Sequence, residues 1–119
     1  MSIKYIMSIK NNFYYDDKDK YEELLKVSNP KKVVENAIRY LNDPDIVLYI
    51  STHKNKKYMI YDKEKMHKNH FGDIRYSDFT KHNNLERREA YLRRATNLNG
   101  HWREYKYSPN NLSINLLWQ

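Results

Sequence analysis

The apolar pattern changes character at Asn42–Asp45, and this break constrains the fold more than any other feature of the chain. Before it, the spacing is helical. Tyr21, Leu24, Leu25 and Ser28 recur at intervals of three and four, which puts their side chains on one helix face. Asn29-Pro30 ends that run, because a proline ring disfavours helical backbone in the residue before it. A second helix is predicted from Pro30 to Leu41, with Val33, Val34, Ala37, Ile38 and Leu41 along one stripe. After the break the spacing becomes that of strands. Asp45–Thr52 (DIVLYIST) is a β-branched and aromatic run, His53–Lys56 (HKNK) is a polar turn, and Lys57–Asp62 (KYMIYD) is a second strand-like run. Two such runs around a short polar segment predict an antiparallel hairpin over residues 45–62.

The rest of the chain reads more thinly. Residues 3–15, apolar with interspersed lysines, suggest an edge strand, and His70-Phe71 before Gly72 a short third strand. Residues 72–83 are irregular and aromatic. A third helix is predicted from Asn84 to Asn97, with Leu85, Leu92 and Ala95 toward a core and Glu89–Arg93 as a favourable i,i+4 pair. Asn99-Gly100 closes it as a turn. Ser108-Pro109, a capping residue before a proline, opens a short apolar helix from Asn110 to Trp118. The expected fold is α+β: two N-terminal helices, then a small antiparallel sheet packed by an arginine-rich helix and a short C-terminal helix. Residues 1–44 read as a helical segment. Residues 45–119 read as a basic α+β module able to fold largely by itself around Trp118, the two parts standing apart or joined in one continuous domain.

Composition narrows the function. The 119 residues are 39% apolar, against roughly 45–50% in average chains, so the core must be thin. Tyrosine, present 12 times, supplies most of its aromatic bulk and keeps a polar tip for water or a partner. The absence of cysteine excludes disulfides, thiolate nucleophiles and cysteine-bearing zinc sites. No apolar run is long enough to span a bilayer, and lysines interrupt what would be the apolar stretch of a signal peptide in MSIKYIMSIK. The chain is therefore expected to stay in the compartment where it is made.

Charge is uneven. Residues 1–45 carry eight basic and eight acidic residues, whereas residues 46–119 carry fourteen and seven, so the net +7 lies in the second part. Such asymmetry suits a polyanion-binding surface, and also a merely soluble basic one. The predicted third helix carries Arg87, Arg88, Arg93 and Arg94, with Arg87 and Arg94 seven apart on one face and Tyr91 between them. Arginine beside tyrosine fits phosphate contact with a ring free for base or sugar packing. Lys54, Lys56 and Lys57 at the hairpin turn extend the basic set. The same arginines also fit the solvated face of an ordinary amphipathic helix.

Catalytic chemistry has little to stand on. His67 and His70, with His82 beyond, lack a carboxylate or cysteine at a recognised metal-ligand spacing. His82-Asn83-Asn84 lacks the glycine-framed hairpin and following histidine of an HNH nuclease. The paired carboxylates Asp16-Asp17 and Glu22-Glu23 sit in polar runs, and two glycines cannot build a phosphate-cradling loop. No metal, cofactor or small-molecule substrate is expected.

From Tyr49 onward the chain resembles a module of small uncharacterised proteins of nucleocytoplasmic large DNA viruses. The resemblance rests on His70-Phe71-Gly72, on Tyr76-Ser77-Asp78-Phe79-Thr80-Lys81-His82, on the helix around Arg87–Arg94 and on Leu112–Trp118. It implies a viral source and a fold unit but no activity. In the motif, Gly72 can take positive φ after a strand, and Asp78 and Thr80 can bond nearby amides and fix the loop before the helix. The leading expectation is a non-enzymatic basic protein that binds DNA or RNA with little sequence preference, in the virion core or viral factory. The alternative is a minor virion protein that binds capsid subunits.

Overall fold

Polar caps and turns divide the chain into the elements of a computed structural model, which describes residues 6–9 and 12–119. In order they are β1 (Ile6–Ile9), β2 (Phe13–Tyr15), α1 (Lys18–Val27), α2 (Pro30–Leu41), β3 (Leu48–Ile50), β4 (Lys56–Asp62) and β5 (His67–Asp73). Then follow α3 (Phe79–His82), α4 (Leu85–Thr96), a 3-10 turn (Trp102–Glu104) and α5 (Pro109–Leu112), which runs on as a π-helical turn (Ser113–Leu117). Asp17, Asn29, Asp78, Asn84 and Ser108 each accept a hydrogen bond from a backbone N–H in the first turn of the helix they open. Each such cap contributes about 1 kcal/mol. Asn42 stops α2 by entering the left-handed region at φ 52° while its N–H bonds the Ile38 carbonyl.

The α+β class matches expectation, with two helices ahead of the strand pair β3–β4 and short helices at the C-terminus. The sheet is larger than expected and mixed. Its order is β1-β2-β3-β4-β5, antiparallel except where β2 meets β3 in parallel. The chain travels through α1 and α2 between β2 and β3, and such a crossover lets two strands lie parallel. The expected edge strand over residues 3–15 divides into the β1–β2 hairpin; residues 3–5, 10 and 11 lie outside the described residues. The strand expected over residues 45–52 contracts to β3, whereas the short strand at His70-Phe71 lengthens into β5, paired with β4 from His67 to Asp73.

Register sorts the side chains. Phe13 pairs with Leu48 and Leu48 with Ile60; one step along, Ile50 pairs with Tyr58 and Tyr58 with Phe71. Directly opposite partners share a sheet face, and all six of these residues are buried. They form one cluster with Leu24 of α1, Val33, Val34 and Ala37 of α2, and Leu112, Leu116, Leu117 and Trp118 at the C-terminus. The core therefore runs across the Asn42–Asp45 break. Asn36 ties its two ends, donating from Nδ2 to the Leu116 carbonyl at 2.9 Å while buried. No helix of the described residues is long and apolar enough to cross a membrane.

The other face carries the row Tyr14, Tyr49, Met59 and His70. His70 stacks on His53 at 3.5 Å between centroids, and its Nδ1 lies 2.7 Å from Ser51 Oγ. Burial, then the neighbouring His53, Lys20, Lys68 and His67, hold the His70 imidazole below its ordinary value of 6.5. The unfolded chain thus takes up a proton near pH 6.5 that the folded chain still refuses. Stability should fall as pH drops below about 6.5, levelling once the folded His70 titrates. Urea unfolding midpoints between pH 7.5 and 5 should show that fall, and His70→Gln should flatten it. An unchanged pH dependence in His70→Gln would assign the effect elsewhere.

Candidate functional site

The helical period of α4 puts Arg87, Ala90, Tyr91 and Arg94 on one face, and this face forms a wall of a cleft of about 620 Å³. The opposite wall is built by Lys56 at the start of β4 and by Gly72, Asp73, Tyr76 and Ser77 at and after the end of β5. Lys57, Asp78 and Leu117 are buried where they line it, and Ser113 and Trp118 complete the lining.

Local sequence explains how these walls come together. Gly72 sits at φ +81°, and a Cβ there would stand 2.9 Å from Leu117 Cδ1 and 3.1 Å from Lys57 Cβ. Only glycine lets β5 turn this close to the C-terminal segment. Asp78 then anchors the loop. Its Oδ1 accepts from the Thr80 N–H at 3.0 Å and from the Thr80 hydroxyl, and its own N–H donates to the Val27 carbonyl. The Thr80 hydroxyl also accepts from the Asn29 N–H and lies 3.3 Å from Ser28 Oγ, itself 2.8 Å from the buried Tyr58 hydroxyl. This polar seam joins the α1–α2 junction to β4 and α3.

The charges divide into engaged and open. Lys57 Nζ lies 2.9 Å from Asp78 Oδ2, with the lysine side chain only 2% exposed. Burial pulls its ammonium below the ordinary lysine value, against the opposing pull of the Asp78 charge and hydrogen bond. At the rim, Arg75 grips Asp73 with Nε at 2.9 Å and a terminal nitrogen at 2.8 Å, and these bonds bring the carboxyl down to about 2. Both carboxylates in the cleft are thus neutralised by neighbours. Lys56, Arg87 and Arg94 form no salt bridge among the described residues.

Aromatic surface accompanies these cations. Tyr91 stacks on Trp118 with centroids 4.1 Å apart and planes within 6°, and burial raises the Tyr91 phenol above its usual value. Tyr76 stands at the rim, 65% exposed, with the Arg75 guanidinium 6.0 Å from its ring centroid.

Of the residues expected to bind nucleic acid, the cleft gathers Lys56, Arg87, Tyr91 and Arg94. Two of that set and one expected core residue need physical correction. Lys57 is not a turn lysine open to phosphate; it is committed to a buried ion pair. Arg88 turns away, donating from Nε to the Trp118 carbonyl at 2.7 Å and lying over the Phe79 ring. Leu85, expected in the core, is 70% exposed in the first turn of α4. Lys54 and Arg93 are exposed and do not line this cleft. The histidines go separate ways: His70 stacks on His53, whereas His82 packs against Phe79 and Trp118. His82 Nδ1 accepts from the Asn84 N–H, and burial followed by the Arg87 charge lowers its pKa. Among the described residues, no three of His, Asp or Glu are grouped to hold a metal ion. Tyr76 opens the Tyr76–His82 motif of the resemblance but carried no expected binding role; a ring beside Arg75 was the signal available for one.

Residues 46–95, from just before β3 through most of α4, match the model of a family of unknown function, DUF5754. The match takes in both walls of the cleft but not Ser113, Leu117 or Trp118. No curated protein and no solved structure matches the chain.

Proposed function

We propose that this chain is a non-enzymatic basic protein that binds nucleic acid with little sequence preference, through the cleft between α4 and the Gly72–Asp78 loop. One observation carries the reading. Lys56, Arg87 and Arg94 line one concave site and form no salt bridge among the described residues, while the site's own carboxylates are held by Lys57 and Arg75, so a phosphate backbone can serve all three cations. The aromatic side chains there offer packing that every base accepts, which favours affinity without base readout. On the viral resemblance, the setting is the virion core or the viral factory.

The test is the salt dependence of binding. Three phosphate contacts give a slope of log K against log salt of about −2 on a single strand and about −2.7 on a duplex. Labelled 20-mers titrated between about 50 and 200 mM salt should show it. Arg87→Ala with Arg94→Ala should shallow the slope by more than half, because two of three contacts go. Both arginines are exposed, so the double variant should keep its thermal transition. Weak binding unaffected by that change would reject the cleft, and affinity for purified capsid subunits that ignores salt would favour the virion-structural reading.

A further inference from the structure

Resting on the nucleic-acid reading, we infer that the cleft is a single-strand site in which one unstacked base lies on the exposed ring of Tyr76 while its flanking phosphates meet Lys56, Arg87 and Arg94. Shape argues first. A duplex shows its phosphates on a convex surface and is entered by an element that protrudes into a groove. Here the cations line a concavity, and the face of α4 that bears Arg87 and Arg94 looks into it. A cleft of about 620 Å³ is of the size that takes a small ligand, and a flexible strand can feed a nucleotide into it where a duplex can only lay its backbone phosphates across the mouth.

The two aromatic groups in the cleft differ in availability. The faces of Tyr91 and Trp118 that meet are spent on each other, and the Tyr91 ring is largely buried. Among the described residues, the Tyr76 ring meets the Arg75 guanidinium and no other ring, and that guanidinium is fixed by its two bonds to Asp73. A large ring left 65% exposed in the free protein, beside three cations that form no salt bridge among the described residues, is placed to stack on a base and to lose little on doing so. Ser77 and Ser113 are neutral neighbours in the same cleft, and its two carboxylates, Asp73 and Asp78, are held by Arg75 and Lys57.

The experiment compares a labelled 10-mer single strand, the same sequence as a duplex and a nucleoside monophosphate, with the wild-type chain, Tyr76→Ala and Tyr76→Phe. Stacking on one ring implies that Tyr76→Ala weakens single-strand binding by about five- to a hundredfold. Tyr76→Phe should keep it, and Tyr76→Ala should leave duplex binding, and the salt slope on either form, nearly unchanged. The single strand should outbind the duplex, and the monophosphate should compete poorly because it lacks the second phosphate. Equal affinity for both polymers, with Tyr76→Ala silent and the salt slope intact, would overturn the single-strand site and leave the nucleic-acid reading standing. A monophosphate that binds as well as the 10-mer would overturn it in favour of a nucleotide pocket. No binding of either polymer at low salt would remove both readings together.

Discussion

A chain trimmed to residues 45–119 is expected to show no cooperative unfolding transition, although its strand pattern reads as a self-sufficient module. Trimming takes away Phe13, Leu24, Val33, Val34 and Ala37, all buried in the cluster that Leu48, Ile50, Tyr58, Ile60 and Phe71 complete from the sheet. Deleting a single buried Leu or Phe side chain costs about 2–5 kcal/mol, and the whole net stability of a domain is about 5–15 kcal/mol. Losing five at once exceeds it. Backbone and polar bonds go as well: β3 loses its parallel partner, Asp78 N–H loses the Val27 carbonyl, and Tyr58 OH loses Ser28 Oγ. Thermal melts followed by circular dichroism, with amide proton dispersion by NMR, should find a collapsed or unfolded chain. A sharp transition with native-like dispersion in the trimmed chain would mean that the N-terminal layer is an accessory to the core.

Residues 45–119 read as an independent module because period reports which residues share a face, not what covers it. The stripe from Val33 to Leu41 was legible because apolar spacing alone identifies an amphipathic helix. Its counterpart, the C-terminal segment whose Leu116 carbonyl Asn36 reaches, is 80 residues away, and no local pattern joins them. β5 was nearly invisible for a related cause. HKNHFGD is polar, and it is a strand because β4 offers a full ladder and because Asn69 and Phe71 turn inward. The cleft divides the same way. Arg87, Tyr91 and Arg94 were legible as one helical face, whereas Leu85 misled because an apolar residue in the first turn need not face the core. Lys57 was misread because lysine is almost never fully buried unless paired, and its partner Asp78 lies 21 residues on.

That pairing sets the second large effect: Asp78→Ala should cost about 3–5 kcal/mol, the usual consequence of stripping the partner from a buried charge. The side chain serves Lys57 Nζ, the Thr80 N–H and the Thr80 hydroxyl together, so alanine orphans a cation and uncaps α3. Without Asp78, the Coulomb and hydrogen-bond contributions that hold the Lys57 pKa up are gone, and burial lowers it further. The folded variant would then bind fewer protons than the unfolded chain over the range below the ordinary lysine value of 10.5. Its stability should accordingly rise with pH, more steeply than the wild type's, as Lys57 sheds its proton inside the fold. Urea denaturation at pH 7 and pH 9 measures both claims. Lys57→Met in the Asp78→Ala background separates ion pair from cap, since a buried pair replaced by apolar side chains is often neutral. The double variant should regain most of the loss, leaving about 1 kcal/mol for the missing cap. If instead Asp78→Ala costs under about 0.5 kcal/mol, the range of surface substitutions, Lys57 is solvated and available to the cleft as a fourth phosphate contact. The steeper salt slope of the wild-type chain would then report it, since each further contact adds about 0.7–0.9 to the slope.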